Sequence, residues 1–179
     1  AIRVSYHGAV GEIDTSLVTR TALTGFLEHC RQGDQVNIVN APSIAQSMGL
    51  ETIESKIAAK TEFSELLVAE LRKGDARFRV AGTIIGRTPR IVEIDRLYVD
   101  INIKGHFLIV NNDDRPGIVG AVGTTLGTAG VNIANLALGR DSEGGRAPAV
   151  FNCDGDVDAA VIDQLQAIPE VVTASLVQV

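Results

Sequence analysis

Cysteine is scarce: Cys30 and Cys153 stand far apart with no second thiol at ligand spacing, which excludes a disulfide framework and a cysteine-built zinc or iron–sulfur site. A reducing, cytoplasmic setting fits that usage. Tryptophan is absent, aromatics make up 4% of the residues, and no run of basic residues occurs. The chain therefore lacks both the electrostatic footprint and the stacking platform of a nucleic-acid binder. No apolar run approaches the roughly 20 residues that span a bilayer, and no signal peptide is visible, so neither nucleic acid nor membrane is an expected partner. Catalytic signatures are missing as well. No G-x-G-x-x-G follows a strand, and neither G-x-x-x-x-G-K-[ST] nor G-x-S-x-G occurs. His7, His29 and His106 fall in different elements. The chain is expected to have no catalytic residues, no metal and no cofactor of its own.

What is present is a charge asymmetry. Of 179 residues with a net charge of −6, residues 1–104 carry 13 Lys and Arg against 13 Asp and Glu, whereas residues 105–179 carry 3 against 9. A chain of this length holds one sizeable core or two small ones, and the asymmetry favours two. Ala1-Ile2-Arg3-Val4-Ser5-Tyr6 has no starting Met and already alternates like a strand. The chain is expected to be a piece of something longer.

In the first part, Ile2, Val4 and Tyr6 share one parity and predict a half-buried strand ended by His7-Gly8. Asp14 or Thr15 caps a helix running to Glu28, with an apolar stripe of Val18, Ala22 and Phe26 flanked by Leu23 and Leu27. After a turn at Arg31-Gln32-Gly33-Asp34, a short strand is expected around Val36 and Ile38. Asn40-Ala41-Pro42 opens a second helix that Gly49 ends. Glu51 to Lys60 is polar and poorly periodic, which predicts a loop or a marginal helix. Residues 64–72, 76–85, 90–94 and 97–103 read as strands, with a tight reversal at Asp95-Arg96 although a primed turn favours Gly in its second place.

The second part holds the most informative stretch, Asn112-Asp113-Asp114-Arg115-Pro116-Gly117. It follows a strand at Phe107 to Val110 and precedes a helical stripe of Ile118, Val122, Leu126 and Ala129, ended by Gly130. Asp114 is placed at or beside the cap of a helix whose first residue is Pro116, where a missing amide hydrogen costs nothing. A helix start without bulk, with free amides and a positive dipole end, suits the carboxylate of a small ligand. Asp114 can then hold an ammonium group, with Asn112 and Asn132 bonding either end. The simpler alternative is that Asp113 and Asp114 only cap the helix. Asn132 to Leu138 is a strand, Asp141 to Gly145 a polar turn, and Ala149 to Cys153 a strand. Val157, Val161, Leu165 and Ile168 form a helical stripe, and Val171 to Val179 is the last strand. Two helices on one face of a four-stranded antiparallel sheet make an α+β unit whose other face is wet or covered by a partner.

Asp114-Arg115-Pro116-Gly117 with Gly130-Val131-Asn132-Ile133 resembles the signature of the ACT domain, a regulatory module of amino-acid metabolism, and the resemblance covers residues 105–179. It implies a βαββαβ, ferredoxin-like fold. It further implies an effector site of Asn112, Asp114, Arg115, Pro116, Gly117, Ile118, Val119 and Asn132, shared across a subunit interface and taking L-serine or another small amino acid. Residues 1–104 resemble the intervening domain of the longer D-3-phosphoglycerate dehydrogenases, an allosteric substrate-binding domain. The resemblance rests on Val4-Ser5-Tyr6-His7-Gly8, Asp14-Thr15, Val39-Asn40-Ala41-Pro42, Ala81-Gly82-Thr83 and Pro89-Arg90-Ile91-Val92. It implies an anion or phosphate-bearing ligand, for which Arg87, Arg90, Arg96 and Lys104 are the local cations.

Together the two resemblances imply two domains, 1–104 and 105–179, forming the regulatory part of an NAD-dependent oxidoreductase of L-serine biosynthesis. The implied enzyme is a cytoplasmic homo-oligomer whose own N-terminal catalytic domains are partners of this region. Two departures stand out. Asn112 occupies a place where members carry His or Tyr, and Arg96 one near a turn where relatives have Gly. The same modules also fit an L-serine dehydratase, or a ligand-independent assembly module whose sheets pair edge to edge.

Overall fold

A computed structural model describes residues 1–30, 35–59, 61–140 and 145–178, and the chain divides into two units, Ala1–Arg87 and Thr88–Val179. The turns expected at Arg31 to Asp34 and at Asp141 to Gly144 lie outside the described residues. The first unit runs β1 (Ile2–Gly8), a single 3₁₀ turn (Ala9–Glu12), α1 (Ser16–Cys30), α2 (Ala41–Ser47), β2 (Thr52–Ile57), β3 (Glu65–Lys73) and β4 (Ala76–Ile85). These strands lie in the order β2-β1-β3-β4. β2 runs parallel to β1, pairing Ile2 with Thr52, while β3 and β4 follow antiparallel. The parallel pair needs a long crossover, and α1 with α2 supplies it.

Two expectations fail here. Val36 and Ile38 do not form a strand; residues 35–37 are irregular and 38–40 make a turn. The Asn37 carboxamide accepts from the amides of Val39 and Asn40, and that of Asn40 accepts from the amide of Asn37. Such local side-chain bonds satisfy the backbone that a ladder would have used. Residues 51–60, in turn, contain β2 rather than a loop or marginal helix. Its side chains are exposed or half-buried, so the apolar alternation that marks a strand never develops, and it is backbone pairing to β1 that holds it.

The buried face of α1 is centred on Thr19, Leu23 and Leu27, not on the expected Val18, Ala22 and Phe26. A polar residue sits in that line because it has partners. The Tyr6 hydroxyl is 2.7 Å from Thr19 Oγ1 and donates to the Thr15 carbonyl at 3.1 Å, and Thr19 donates to Glu54 at 2.6 Å. Asp14, not Thr15, bonds the first amide of α1, at 3.0 Å, which leaves the Thr15 hydroxyl for Glu54. The hydrogen bonds from Thr15 and then Thr19 hold the Glu54 carboxyl below the ordinary glutamate range. A lowered folded-state pKa stabilises above the unfolded value, and that stabilisation is lost as pH falls through the folded one. The thermal-stability gap between wild type and Glu54→Gln is therefore expected to close below about pH 4. A gap equal at pH 7 and pH 3 would contradict the assignment.

The second unit consists of β5 (Thr88–Ile94), β6 (Leu97–Asn102), β7 (His106–Asp113), α3 (Ile118–Thr128), β8 (Asn132–Leu138), β9 (Arg146–Asp154), α4 (Ala159–Gln166) and β10 (Val171–Gln178). From β7 onward this is βαββαβ, with the sheet order β10-β7-β9-β8 and antiparallel pairing throughout. Leu108, Val110, Ala149 and Phe151 face the helices and pack with Ile118, Val122, Leu126, Val161 and Leu165. Fully burying a large apolar side chain of this kind contributes about 1.5–3 kcal/mol. Ala129, expected in the α3 stripe, is instead its exposed C-cap. Cys153 belongs to this core, and burial pushes its thiol pKa up.

The other sheet face, expected to be wet or covered by a partner, is wet at Asn111, Thr173 and Ser175 and elsewhere is covered by this chain itself. Phe107, Ala137 and Val150 on that face pack with Ile94, Val99 and Ile101 of the β5–β6 hairpin, which this chain lays across it. Asn152 adds a hydrogen bond to the Asn102 carbonyl at 3.2 Å. Close approach depends on Gly139, where a Cβ would stand 3.1 Å from Leu97 Cβ, 3.1 Å from Pro148 Cγ and 3.3 Å from Val99 Cγ1.

The reversal at Asp95-Arg96 is a two-residue hairpin turn joining Ile94 to Leu97, with φ of 47° and 69°. The left-handed pair matches the primed turn that strand twist demands, and neither residue is Gly. Arg96→Gly is expected to stabilise the chain by about 0.5–1 kcal/mol, because Gly enters that region without steric cost. An unchanged or lower urea midpoint would refute this.

Candidate functional site

At the end of β7 the chain turns sharply. Asn112 still faces the helix layer and is buried, its side chain donating to the Val110 carbonyl at 3.4 Å. The Asp113 amide donates to Glu170, and the Asp114 amide to Gly145 at 2.9 Å. Arg115 and Pro116 are exposed, and Gly117 adopts φ 96°, left-handed, as the N-cap of α3. The helix thus starts at Ile118 rather than Pro116, and no side chain caps it. Asp114 is not its cap. The left-handed Gly117 breaks the approach that would have brought the carboxylate under the first amides. Ile118 is buried and Val119 half-buried on the inner side, and nothing lies within 4 Å of the position a Cβ would take at Gly117.

Asp114 points elsewhere. Its Oδ2 lies 2.6 Å from Arg140 Nε, in the loop after β8, and the Arg140 side chain is 57% exposed against 26% for Asp114. The two atoms touch without the alignment of a hydrogen bond, so among the described residues this almost fully buried oxygen has no hydrogen-bond donor. Arg140 was not among the residues that sequence reasoning singled out. Its only signal is its place directly after Gly139, and β9 is what brings it near Asp114. Gly139 bonds Pro148 and Asp113 pairs with Arg146, so both loops meet at the same end of the sheet.

Asn132 lies at the other end. It pairs with Asp154, whereas Asp113 pairs with Arg146. Eight residues of strand at about 3.3 Å each separate those two rungs by roughly 26 Å. Asn132 is exposed on the edge strand β8, its side chain donating to Asp154 at 2.6 Å. Within one chain, then, Asn112, Asp114, Arg115, Pro116, Gly117, Ile118 and Val119 form one locus and Asn132 another.

Of the four expected anion-binding cations, Arg90 is engaged with Asp100 across the β5–β6 hairpin, Nε to Oδ1 at 2.6 Å. Arg90 pairs in register with Asn102, near the open end where exposed Lys104 follows, while Arg96 sits in the turn at the far end. The hairpin therefore separates Arg96 from the other two. Arg87 is exposed at the close of the first unit.

At this locus the Ile118 amide makes only a long bond to the Arg115 carbonyl, at 3.4 Å. The positive dipole end of α3 is complementary to an anion, as the poorly satisfied Asp114 oxygen is to a cation.

Comparison with known proteins places this geometry in context. A family model described as the D-3-phosphoglycerate dehydrogenase intervening domain matches residues 1–95, and one described as the ACT domain matches residues 106–170. A D-3-phosphoglycerate dehydrogenase of Methanocaldococcus jannaschii is 31% identical over 170 residues, covering 95% of this chain and 32% of the relative. One from Bacillus subtilis is 28% identical over 177 residues, covering 98% of this chain and 34% of the relative. One from Mycobacterium tuberculosis is 31% identical over 160 residues, 88% and 30%. The chain spans about a third of the length of the curated relatives it matches.

Proposed function

The chain belongs to the D-3-phosphoglycerate dehydrogenase intervening-domain family and carries an ACT domain behind it, and from that premise we propose that it is the regulatory region of such a dehydrogenase, with L-serine as its feedback effector. The supporting observation is the uncapped, glycine-led start of α3 beside the under-satisfied carboxylate of Asp114. The carboxylate of serine takes the amides of Gly117 to Val119, and its ammonium takes Asp114. Asn132 completes the site from a second copy, because its own sheet end is too distant to do so within one chain.

The parent enzyme oxidises 3-phosphoglycerate with NAD in the cytoplasm as a homo-oligomer. NAD belongs to catalytic domains outside this chain, and no residue here is assigned to it. The functional boundary is taken at residues 104 and 105, between the two matched segments. Feedback requires that serine bind the inhibited arrangement more tightly, since a ligand of equal affinity for both states shifts nothing.

Calorimetry of the chain with L-serine and D-serine, paired with sedimentation with and without each, tests the proposal. Saturable binding of L-serine at one site per chain, stronger than D-serine and coupled to oligomeric state, is the expected result. An oligomer indifferent to L-serine, with no heat of binding, would leave a ligand-independent assembly module. The dehydratase alternative is disfavoured, because the relatives named above are all dehydrogenases.

A further inference from the structure

We infer that Arg140 is an internal latch on the effector site: its guanidinium occupies Asp114 until the ammonium of an amino acid displaces it. The inference rests on the proposed function in one respect, that Asp114 receives an ammonium. The rest comes from the geometry. Arg140 Nε approaches Asp114 Oδ2 to 2.6 Å, in an ion pair that forms no aligned hydrogen bond. Asp114 contributes a nearly buried oxygen, whereas most of the Arg140 side chain is in solvent. A buried carboxylate oxygen with an imperfect partner is a costly group to leave so, and a compact ammonium with three rotatable donors can satisfy it better than a planar guanidinium held at the wrong angle. Arg140, being exposed, loses little on release, because exposed ion pairs are weak and water solvates the freed cation.

The device sets ligand class. A ligand with both an ammonium and a carboxylate displaces Arg140 and leaves it beside a net negative ligand–Asp114 pair. An anion without an ammonium leaves the latch closed, and a cation without a carboxylate loses the α3 amides. The latch also raises the effector concentration needed for occupancy, since each binding event must first break the internal pair.

Calorimetry decides the matter, with L-serine, L-serine methyl ester and 3-hydroxypropionate as probes of the wild type, Arg140→Gln, Arg140→Lys and both Arg140 backgrounds combined with Asp114→Asn. Removing the competitor is expected to tighten L-serine and its methyl ester about two- to five-fold. Arg140→Lys should return toward wild type, and 3-hydroxypropionate should weaken. In the Asp114→Asn background the Arg140 substitution should have no effect. Weaker L-serine binding by Arg140→Gln, or the same change with and without Asp114, would overturn the latch while leaving the effector site standing. L-serine bound by Arg140→Gln but not by the wild type would support it most strongly. Failure of every variant to bind L-serine would remove the effector site, and the latch with it.

Discussion

Asp114→Ala is expected to weaken L-serine binding about ten- to hundred-fold, the range for losing a hydrogen-bonded contact to a charged group. The substitution deletes the carboxylate that Arg140 touches, and it leaves the amides of Gly117 to Val119 in place to hold the ligand carboxylate. The fold should tolerate the change. The Asp114 amide keeps its bond to Gly145, no helix loses its cap, and the side-chain pair removed has its Arg140 half in solvent and no aligned hydrogen bond, so its loss costs little, about 0–1 kcal/mol. Calorimetry gives the affinity and a thermal melt confirms folding. Equal affinity in a folded variant would remove Asp114 from the site and return it to a structural role.

Gly139→Val should be the most destabilising of the substitutions considered. Even an alanine methyl would press at 3.1–3.3 Å on Leu97, Pro148 and Val99, and valine adds two branches where β6 lies against the ends of β8 and β9. Overpacking of this kind costs about 1–3 kcal/mol. The strain falls on the β5–β6 hairpin, so amide exchange should accelerate over residues 88–102 before it does in α3. Gly127 makes the contrast. It lies on the exposed side of α3 with open space around it, and Gly127→Ala should instead stabilise by about 0.5–1 kcal/mol through lost unfolded-state entropy. Were Gly139→Val to melt with the wild type, the close packing of the hairpin would not be what holds it.

Much of the second unit was legible because its periods are clean. Ile118, Val122 and Leu126 repeat at helical spacing, and Asn132 to Leu138 matches the observed strand residue for residue. The first unit was harder where polar side chains replaced the hydrophobic signal. β2 is a strand by pairing alone, and Thr19 lies at the centre of a buried helix face because Tyr6 and Glu54 hold it there. Val36 and Ile38 misled because β-branched residues favour strands only where a neighbouring strand accepts their backbone, and two asparagines had already claimed it. At the α3 start the residues were right and the geometry was not. Pro116 and Asp114 suggested a capped helix, but the positive φ of Gly117 shifted the start by two residues and turned the carboxylate away.

Local chemistry written into the sequence thus determined the two-part architecture and the presence of a glycine at the tip of α3, because each depends on residue type and short spacing. Tertiary pairing alone decided that Arg140 meets Asp114, that Asn132 stands at the opposite sheet end, and that the hairpin covers the second face. The first two follow from strand register across β7, β9 and β8, which joins residues distant in the chain and leaves no periodic trace along it, and the third from apolar packing between Phe107, Ala137 and Val150 and the β5–β6 hairpin.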